Sequence, residues 1–462
     1  MNRTLLAIVL ASLALKLALL VPSHDMPALR DSGQYVENAC LLMRKGMYGP
    51  SGRAPGYPMA LAASLWLTER AGVTVLCPRD LFFGAHDGIS AVAIGRLHQV
   101  LWSTLTVVLA YLLARALFDA RTGLATAALV AFYPNLVGYS HLLWSETLYV
   151  MLSFGWALLL VQGVRRDRWL AFAAAGALLG YGALVRQTGL TTVGIAVGWL
   201  WILGVRAWRP LLARALVVVG TAALVIAPWT LRNWRVHGEP VLISTTGGLA
   251  LLYGASPNVL ADLKRISNRG IKPFSLAADR AARERAEDII RRDPRAWGER
   301  LLTVNLPSLW HPGYEGVIDH LVGARGYANV TPGVARAGIV LVVASYVLLG
   351  VLAAVGLAFA PAREARWLVL ALALLYAGLH TVVWGLPRHR LPVMAFATMP
   401  AAWVLTRRRD EWRRCVTIPR AAGAVLGALV FLALVGSNDP STLRHQWQRA
   451  DQLPHPAARR LR

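Results

Sequence analysis

The sequence predicts an all-α, polytopic membrane protein, and three observations carry that reading. The 462 residues are 56% hydrophobic and only 16% charged, where a soluble chain carries about 25% charged residues. The apolar residues come in runs of spanning length. The basic residues between those runs cluster in alternate links, as they do when charge is retained on one side of a bilayer.

Taken in order, the apolar runs are Thr4–Val21, Ile89–Phe118, Thr122–Tyr139, Leu142–Val164, Trp169–Val185, Leu190–Val205 and Leu211–Leu231. After a long polar stretch follow Val334–Ala360, Trp367–Leu386, Leu391–Leu405 and Ala421–Gly436. At ~20 residues per crossing these predict about eleven transmembrane helices. The first reads as an uncleaved span, because no small-x-small cleavage site follows it.

The short basic links are Arg115 with Arg121, Arg165 to Arg168, Arg206 with Arg209, Arg363 with Arg366, and Arg407 to Arg414. All five share one side if the N-terminus is cytoplasmic. That topology puts Pro22–Gly88, Arg232–Gly333, Pro387–Arg390 and the C-terminal tail on the outer, periplasmic or extracellular face of the cell (inner) membrane. The tail, with Arg444, Arg449, Arg459, Arg460 and Arg462, runs against the rule and suits anionic headgroups.

Counting Pro58–Leu76 as a span would move every arginine cluster outside, so it reads as a helix lying in the interface. Arg30–Gly46 reads the same way, with Tyr35, Ala39, Leu42 and Met43 on one face and Gly46 as its stop. The outer stretch SLAADRAARERAEDIIRRDPRAWGERLL is helical with a break at Asp293-Pro294. The expected organisation is an N-terminal membrane module, 1–231, carrying a first outer loop, 22–88. An outer loop, 232–333, caps it, followed by C-terminal spans, 334–436, and a basic tail, 437–462.

The net charge of +24 fits inner loops and lipid headgroups; no soluble basic domain points to nucleic acid. Cys40, Cys77 and Cys415 have no metal-ligand spacing. Cys40 and Cys77 share the first outer loop, where they either pair or remain free apolar cysteines.

The polar candidates all map to the outer side. They are Asp31, Tyr35, Arg53 and Tyr57 in the first loop, Glu146 near the start of the fourth span, and Arg186 at the end of the fifth. Arg232 and Asn233 follow the seventh span, and Arg388, His389 and Arg390 the ninth. Ionisable residues at span edges are costly and mark function. Each also has a plainer reading. Asp31 can cap a helix, Glu146 can pair with an arginine, the arginines can snorkel, and Tyr35 and Tyr57 can belong to an aromatic belt.

Together these types suit one reaction, transfer of a sugar from a lipid phosphate. The departing phosphate needs cations and N–H donors rather than a general acid. The incoming hydroxyl needs a base, which one interfacial carboxylate supplies. A transporter or flippase of lipid-linked glycans would also place arginines near a lipid phosphate. Against it, no internal repeat is visible, and the polar residues gather at one surface rather than at the midplane.

The stretches DSGQYVENACLLMRKGMY, RAPGYPMALAA, YPNLVGYSHLLWSETLYVML, LVRQTGL and APWTLRNWRVHGEPVLISTTGGLALLYGASPN stand in order along the chain. AEDIIRRDPRAWGERLLTVNLPSLWHP and LPRHRLPVMAF follow. In this order they resemble the GT-C integral-membrane glycosyltransferases that use polyprenyl-phosphate sugars. The branch most similar contains the protein O-mannosyltransferases and aminoarabinose transferases of glycosyltransferase family 39 and its relatives.

The resemblance implies that Asp31 is the base and that Glu146 orients the acceptor or the base. It implies that Arg53 and Tyr57 lie near the donor, and that Arg186, Arg232, Arg388 and Arg390 lie near the lipid phosphate. Many relatives carry a second acid after the first, where this chain has Ser32. The implied partners are a polyprenyl-phosphate-linked sugar, membrane lipids, and a glycan, lipid or protein acceptor, with inversion at the anomeric carbon. No cofactor is expected. A divalent metal stays open, with Asp31, Glu37, Asp87 and Glu146 as its candidate carboxylates.

Overall fold

The structure, a computed structural model, describes residues 2–23, 31–49, 52–82, 87–313, 317–318 and 330–453. Arg30 and the tail arginines Arg459, Arg460 and Arg462 lie outside the described residues. The chain is almost wholly helical. It opens with α1 (Arg3–Ser23), α2 (Asp31–Lys45), α3 (Gly56–Arg70) and α4 (Pro78–Phe82). Two short strands, β1 (Val75–Leu76) and β2 (Ile89–Ser90), pair in parallel within the first loop. The membrane module continues with α5 (Ala91–Leu117), α6 (Ala120–Phe132), α7 (Pro134–Tyr139), α8 (Glu146–Arg166), α9 (Trp169–Val185), α10 (Gly189–Ile202) and α11 (Trp208–His237). The polar stretch holds α12 (Gly247–Ala255), α13 (Val259–Ser267), α14 (Leu276–Arg292), α15 (Pro294–Arg300) and α16 (Leu306–Leu309). The chain then runs through α17 (Pro332–Phe359), α18 (Arg363–Val382), α19 (Leu391–Thr406), α20 (Arg409–Cys415), α21 (Ile418–Gly436) and α22 (Ser441–Asp451).

Ten of the eleven apolar runs each hold one helix, and the run Thr122–Tyr139 is divided between two. Among the described residues, seven of these helices are long and apolar enough to cross a membrane: α1, α5, α8, α11, α17, α18 and α21. The helices α6, α9, α10 and α19 have 13, 17, 14 and 16 residues. At about 1.5 Å per residue they fall short of a ~30 Å hydrocarbon core on their own. The run Thr122–Tyr139 is broken where Pro134, which lacks an N–H and clashes with the preceding turn, ends α6 and begins α7.

Burial shows which helices form the centre. The apolar window of α8 is 78% buried, that of α21 only 6%. Helix α8 packs between α5 and α9, α9 against α11, and α19 against α6, α8 and α17. Phe154 of α8 and Phe396 of α19 stack flat, ring centroids 4.3 Å apart.

The first loop folds onto this bundle through α2 and α3. Helix α2 buries Tyr35, Val36, Ala39 and Cys40, and α3 buries Tyr57, Leu61 and Leu65. Cys40 and Cys77 form a disulfide, S–S 2.07 Å, which settles the alternative the sequence left open. Gly56 starts α3 where a Cβ would meet the backbone of Leu184 and Val185 at 2.6 Å, so only glycine permits this approach to α9. A cap is built from α12, α13 and α14 around Leu252, Ile266, Ala282 and Ala286. The predicted break in its helix is observed, with Asp293 accepting the Ala296 N–H as α15 begins. Asn305 ties the cap to the bundle by donating to the carbonyls of Gly254 and Thr381, both at 2.9 Å.

Candidate active site

The cap and the adjoining ends of the bundle enclose a cavity of about 760 Å³. Five chain segments deliver the three arginines and two of the carboxylates that line it. Asp31 stands at the first turn of α2 and Arg53 just before α3. Glu146 opens α8, Arg186 follows α9, and Arg388 lies in a 3₁₀ turn, Pro387–Arg390, between α18 and α19.

The cations bridge the acids. Arg53 Nη2 donates to Asp31 Oδ1 at 2.7 Å, and Arg388 Nη1 to Asp31 Oδ2 at 2.8 Å. Arg186 Nη1 lies 2.5 Å from Glu146 Oε1, and Arg388 Nε 3.9 Å from the same oxygen. Arg388 therefore spans both carboxylates, with its guanidinium over the Trp144 ring at 5.1 Å from the centroid. Arg53 is steadied by Gln34, whose Oε1 accepts from Nε at 2.5 Å, and by the Tyr35 ring at 5.5 Å.

Burial by itself would raise the Asp31 carboxyl, but Arg388 and Arg53 outweigh it and hold the group below its ordinary value. The free protein thus stores Asp31 as a carboxylate between two arginines. A phosphate able to take those arginines would leave the carboxylate free to accept a proton.

The wall that presents Glu146 is fixed from behind. Gln99 of α5, fully buried, donates through Nε2 to the carbonyls of Leu142 and Trp144. Arg96 Nε donates to the His141 carbonyl at 3.2 Å, and Ser145 Oγ accepts from Arg186 at 3.2 Å. These residues were not singled out in the sequence, because an apolar-looking helix gives no sign of which loop it holds.

Of the sequence candidates, Asp31, Tyr35, Arg53, Glu146, Arg186, Arg388 and His389 line this cavity. Four others are placed elsewhere. Tyr57 is wholly buried behind Tyr35, ring centroids 4.8 Å apart, and supports it rather than facing a ligand. Arg232 and Asn233 line a neighbouring cavity of about 280 Å³, which shares Arg53, Ser244, Thr245 and Phe274 with the larger one. There Arg232 lies over Trp229 at 4.7 Å, while Asn233 donates to the carbonyls of Val241 and Ile243. Arg390 is turned away altogether. It donates to the Leu309 carbonyl at 2.6 Å and lies 4.2 Å over Tyr346. Successive residues of a 3₁₀ turn project about 120° apart, so Arg388, His389 and Arg390 cannot share one wall.

Of the carboxylates considered for a metal, Glu37 and Asp87 are exposed, and among the described residues no three His, Cys, Asp or Glu side chains come together as ligands.

Residues 88–231 match the family described as dolichyl-phosphate-mannose-protein mannosyltransferase. Two curated relatives are undecaprenyl phosphate-alpha-4-amino-4-deoxy-L-arabinose arabinosyl transferases, from Pseudomonas paraeruginosa and Pseudomonas aeruginosa. Each is 37% identical over 142 residues, covering 29% of this chain and 26% of the relative. The chain thus matches only about a quarter of the length of those relatives. Among solved structures, the archaeal oligosaccharyltransferase of Archaeoglobus fulgidus superposes with a TM-score of 0.51 at 14% identity. That likeness covers 96% of this chain and 55% of the other, and at that identity it speaks for the fold alone. The chain is therefore a multi-pass membrane protein of the GT-C fold, with residues 88–231 matching the dolichyl-phosphate-mannose-protein mannosyltransferases.

Proposed function

We propose that the protein is a membrane glycosyltransferase. It moves a sugar from a polyprenyl-phosphate donor to a hydroxyl or phosphate of an acceptor on the outer side of the cell membrane, with inversion. The observation that carries this reading is the charge arrangement of the 760 Å³ cavity, in which three arginines converge on two carboxylates from five separate segments. Arg53, Arg186 and Arg388 are suited to hold the phosphate and its developing charge. Asp31 takes the proton of the acceptor hydroxyl, and Glu146 holds Arg186 and Arg388 in place. Arg232, in the adjoining cavity, extends the positive surface toward the lipid.

The family of the matched segment and the named activity of the arabinosyl transferases support the same reaction class. The Cys40–Cys77 disulfide supports an oxidising, outer-face location for the first loop. The proposed organisation is a membrane module, 1–231, an outer cap, 232–333, and C-terminal spans, 334–436. The basic links and the N-terminus face the cytoplasm.

The test is transfer from labelled polyprenyl-phosphate sugar by the purified protein. Asp31→Asn should lower the rate ~10²–10⁴-fold, the usual worth of a general base, while the lipid phosphate still binds. Equal rates for both proteins would remove Asp31 from the chemistry. Movement of intact donor across liposomes without bond cleavage would favour a flippase instead.

A further inference from the structure

One wall of the cavity, next to the ion pairs, has a different character. Tyr253 of α12 and Trp384, just past α18, stack with ring centroids 3.7 Å apart and planes 13° from parallel. Both are half-buried and both line the cavity. Beside them, His389 Nδ1 lies 2.9 Å from the Trp384 carbonyl. A carbonyl can only accept, so Nδ1 carries the proton and Nε2 of the neutral ring is an acceptor. His380, 2% exposed, stacks on His389 at 4.1 Å. Burial, then His380, Arg186 and Arg388, hold His389 well below its ordinary value and so uncharged.

We propose that this aromatic and imidazole wall is the subsite for the transferred sugar, and that it takes a neutral, hydroxyl-rich sugar in preference to one bearing an ammonium group. The inference rests on reading the cavity as a donor site. The C–H face of a sugar ring packs on the stacked aromatic pair, one hydroxyl donates to His389 Nε2, and others accept from Arg388. An ammonium at that wall would lie in the field of Arg186 and Arg388, the charged groups that act on His389. Among the described residues three carboxylates line the cavity: Asp31 is paired with Arg53 and Arg388, Glu146 with Arg186, and Asp279 accepts through Oδ1 from the N–H groups of Gly248 and Leu249 at 2.7 and 3.2 Å. Arg53, Arg186, Lys264 and Arg388 outnumber them in the lining of the same space, so a further positive charge beside His389 is disfavoured. The curated relatives are named for a 4-amino sugar, which makes this a point of divergence.

The experiment compares binding of three lipids to the full chain in lipid nanodiscs: bare undecaprenyl phosphate, the same lipid carrying a neutral hexose, and the same lipid carrying a 4-amino-4-deoxypentose. The hexose should add about tenfold in affinity over the bare lipid, the worth of one or two good polar and stacking contacts. The amino sugar should add nothing. Trp384→Leu should abolish the hexose gain without weakening the bare lipid, and Trp384→Phe should restore most of it. Amino-sugar binding as tight as or tighter than hexose binding would overturn the proposal. So would a hexose gain that survives Trp384→Leu, or failure of all three lipids to bind. A confirmed hexose gain without any transfer would leave the subsite standing and remove only the transferase reading.

Discussion

At the scale of single residues, Asp31 presents a tension between storage and use. Two arginines hold its carboxyl below its ordinary value, and a carboxylate so stabilised is a weak base. Bound phosphate relieves this by competing for Arg53 and Arg388. The acid limb of the pH–rate profile should then differ between kcat/KM, which reports the free protein, and kcat, which reports the donor complex. The expected order is a higher apparent pKa in kcat. Coincident limbs would mean that the arginines stay on Asp31 throughout. For stability the sign is fixed by the direction of the shift. A carboxyl depressed in the folded state stabilises it above the unfolded value of about 3.9, and that contribution is lost as pH falls through the lower folded value. Asp31→Asn should therefore flatten acid unfolding only below about pH 4. The residue types of this site were legible because isolated charges stand out in apolar sequence. Their partners were not: Arg388 joins Asp31 across 357 positions, and no local pattern encodes that pairing.

At the scale of elements, the decisive piece is the turn between α7 and α8. It delivers Trp144 under Arg388 and Ser145 beside Arg186, and it starts the helix that bears Glu146. Gln99 holds it from α5, so Gln99→Leu strips the donor from two buried carbonyls. That should cost ~1–3 kcal/mol of stability and depress kcat disproportionately. The comparison is Thr104→Val on the same helix, which removes only a hydroxyl bonded to the Val100 carbonyl. Thermal unfolding and initial rates of the two variants decide the matter. If Gln99→Leu loses stability yet keeps its rate, the turn does not position the site. Helix boundaries were readable because hydropathy dominates them, and Trp169–Val185 matches α9 end to end. The separation of Tyr57 and Arg390 from the cavity was not readable. One depends on how α3 packs behind α2, and the other on the phase of a four-residue 3₁₀ turn.

At the scale of the whole molecule, orientation is the claim on which the proposed chemistry depends. Every basic link used to set it is short, and together they place Cys415, at the end of α20, on the cytoplasmic side. The proposed orientation would put Cys40 and Cys77, which are joined, on the outer side. The chain's own three cysteines therefore report its topology without any substitution. Cys415 is free and partly exposed, and the other two are closed to thiol reagents as long as their bond is intact. In right-side-out membrane vesicles, a membrane-impermeant maleimide should leave the protein unlabelled. Permeabilisation should then admit one label per chain, at Cys415. Non-reducing peptide mapping should recover Cys40 and Cys77 as a linked pair. Labelling of Cys415 before permeabilisation would invert the molecule and put the arginine-clamped cavity on the cytoplasmic face. A lipid-phosphate donor made in the cytoplasm would then need no translocation to reach it. The same result would leave the disulfide in a reducing compartment, so orientation and disulfide must be overturned together.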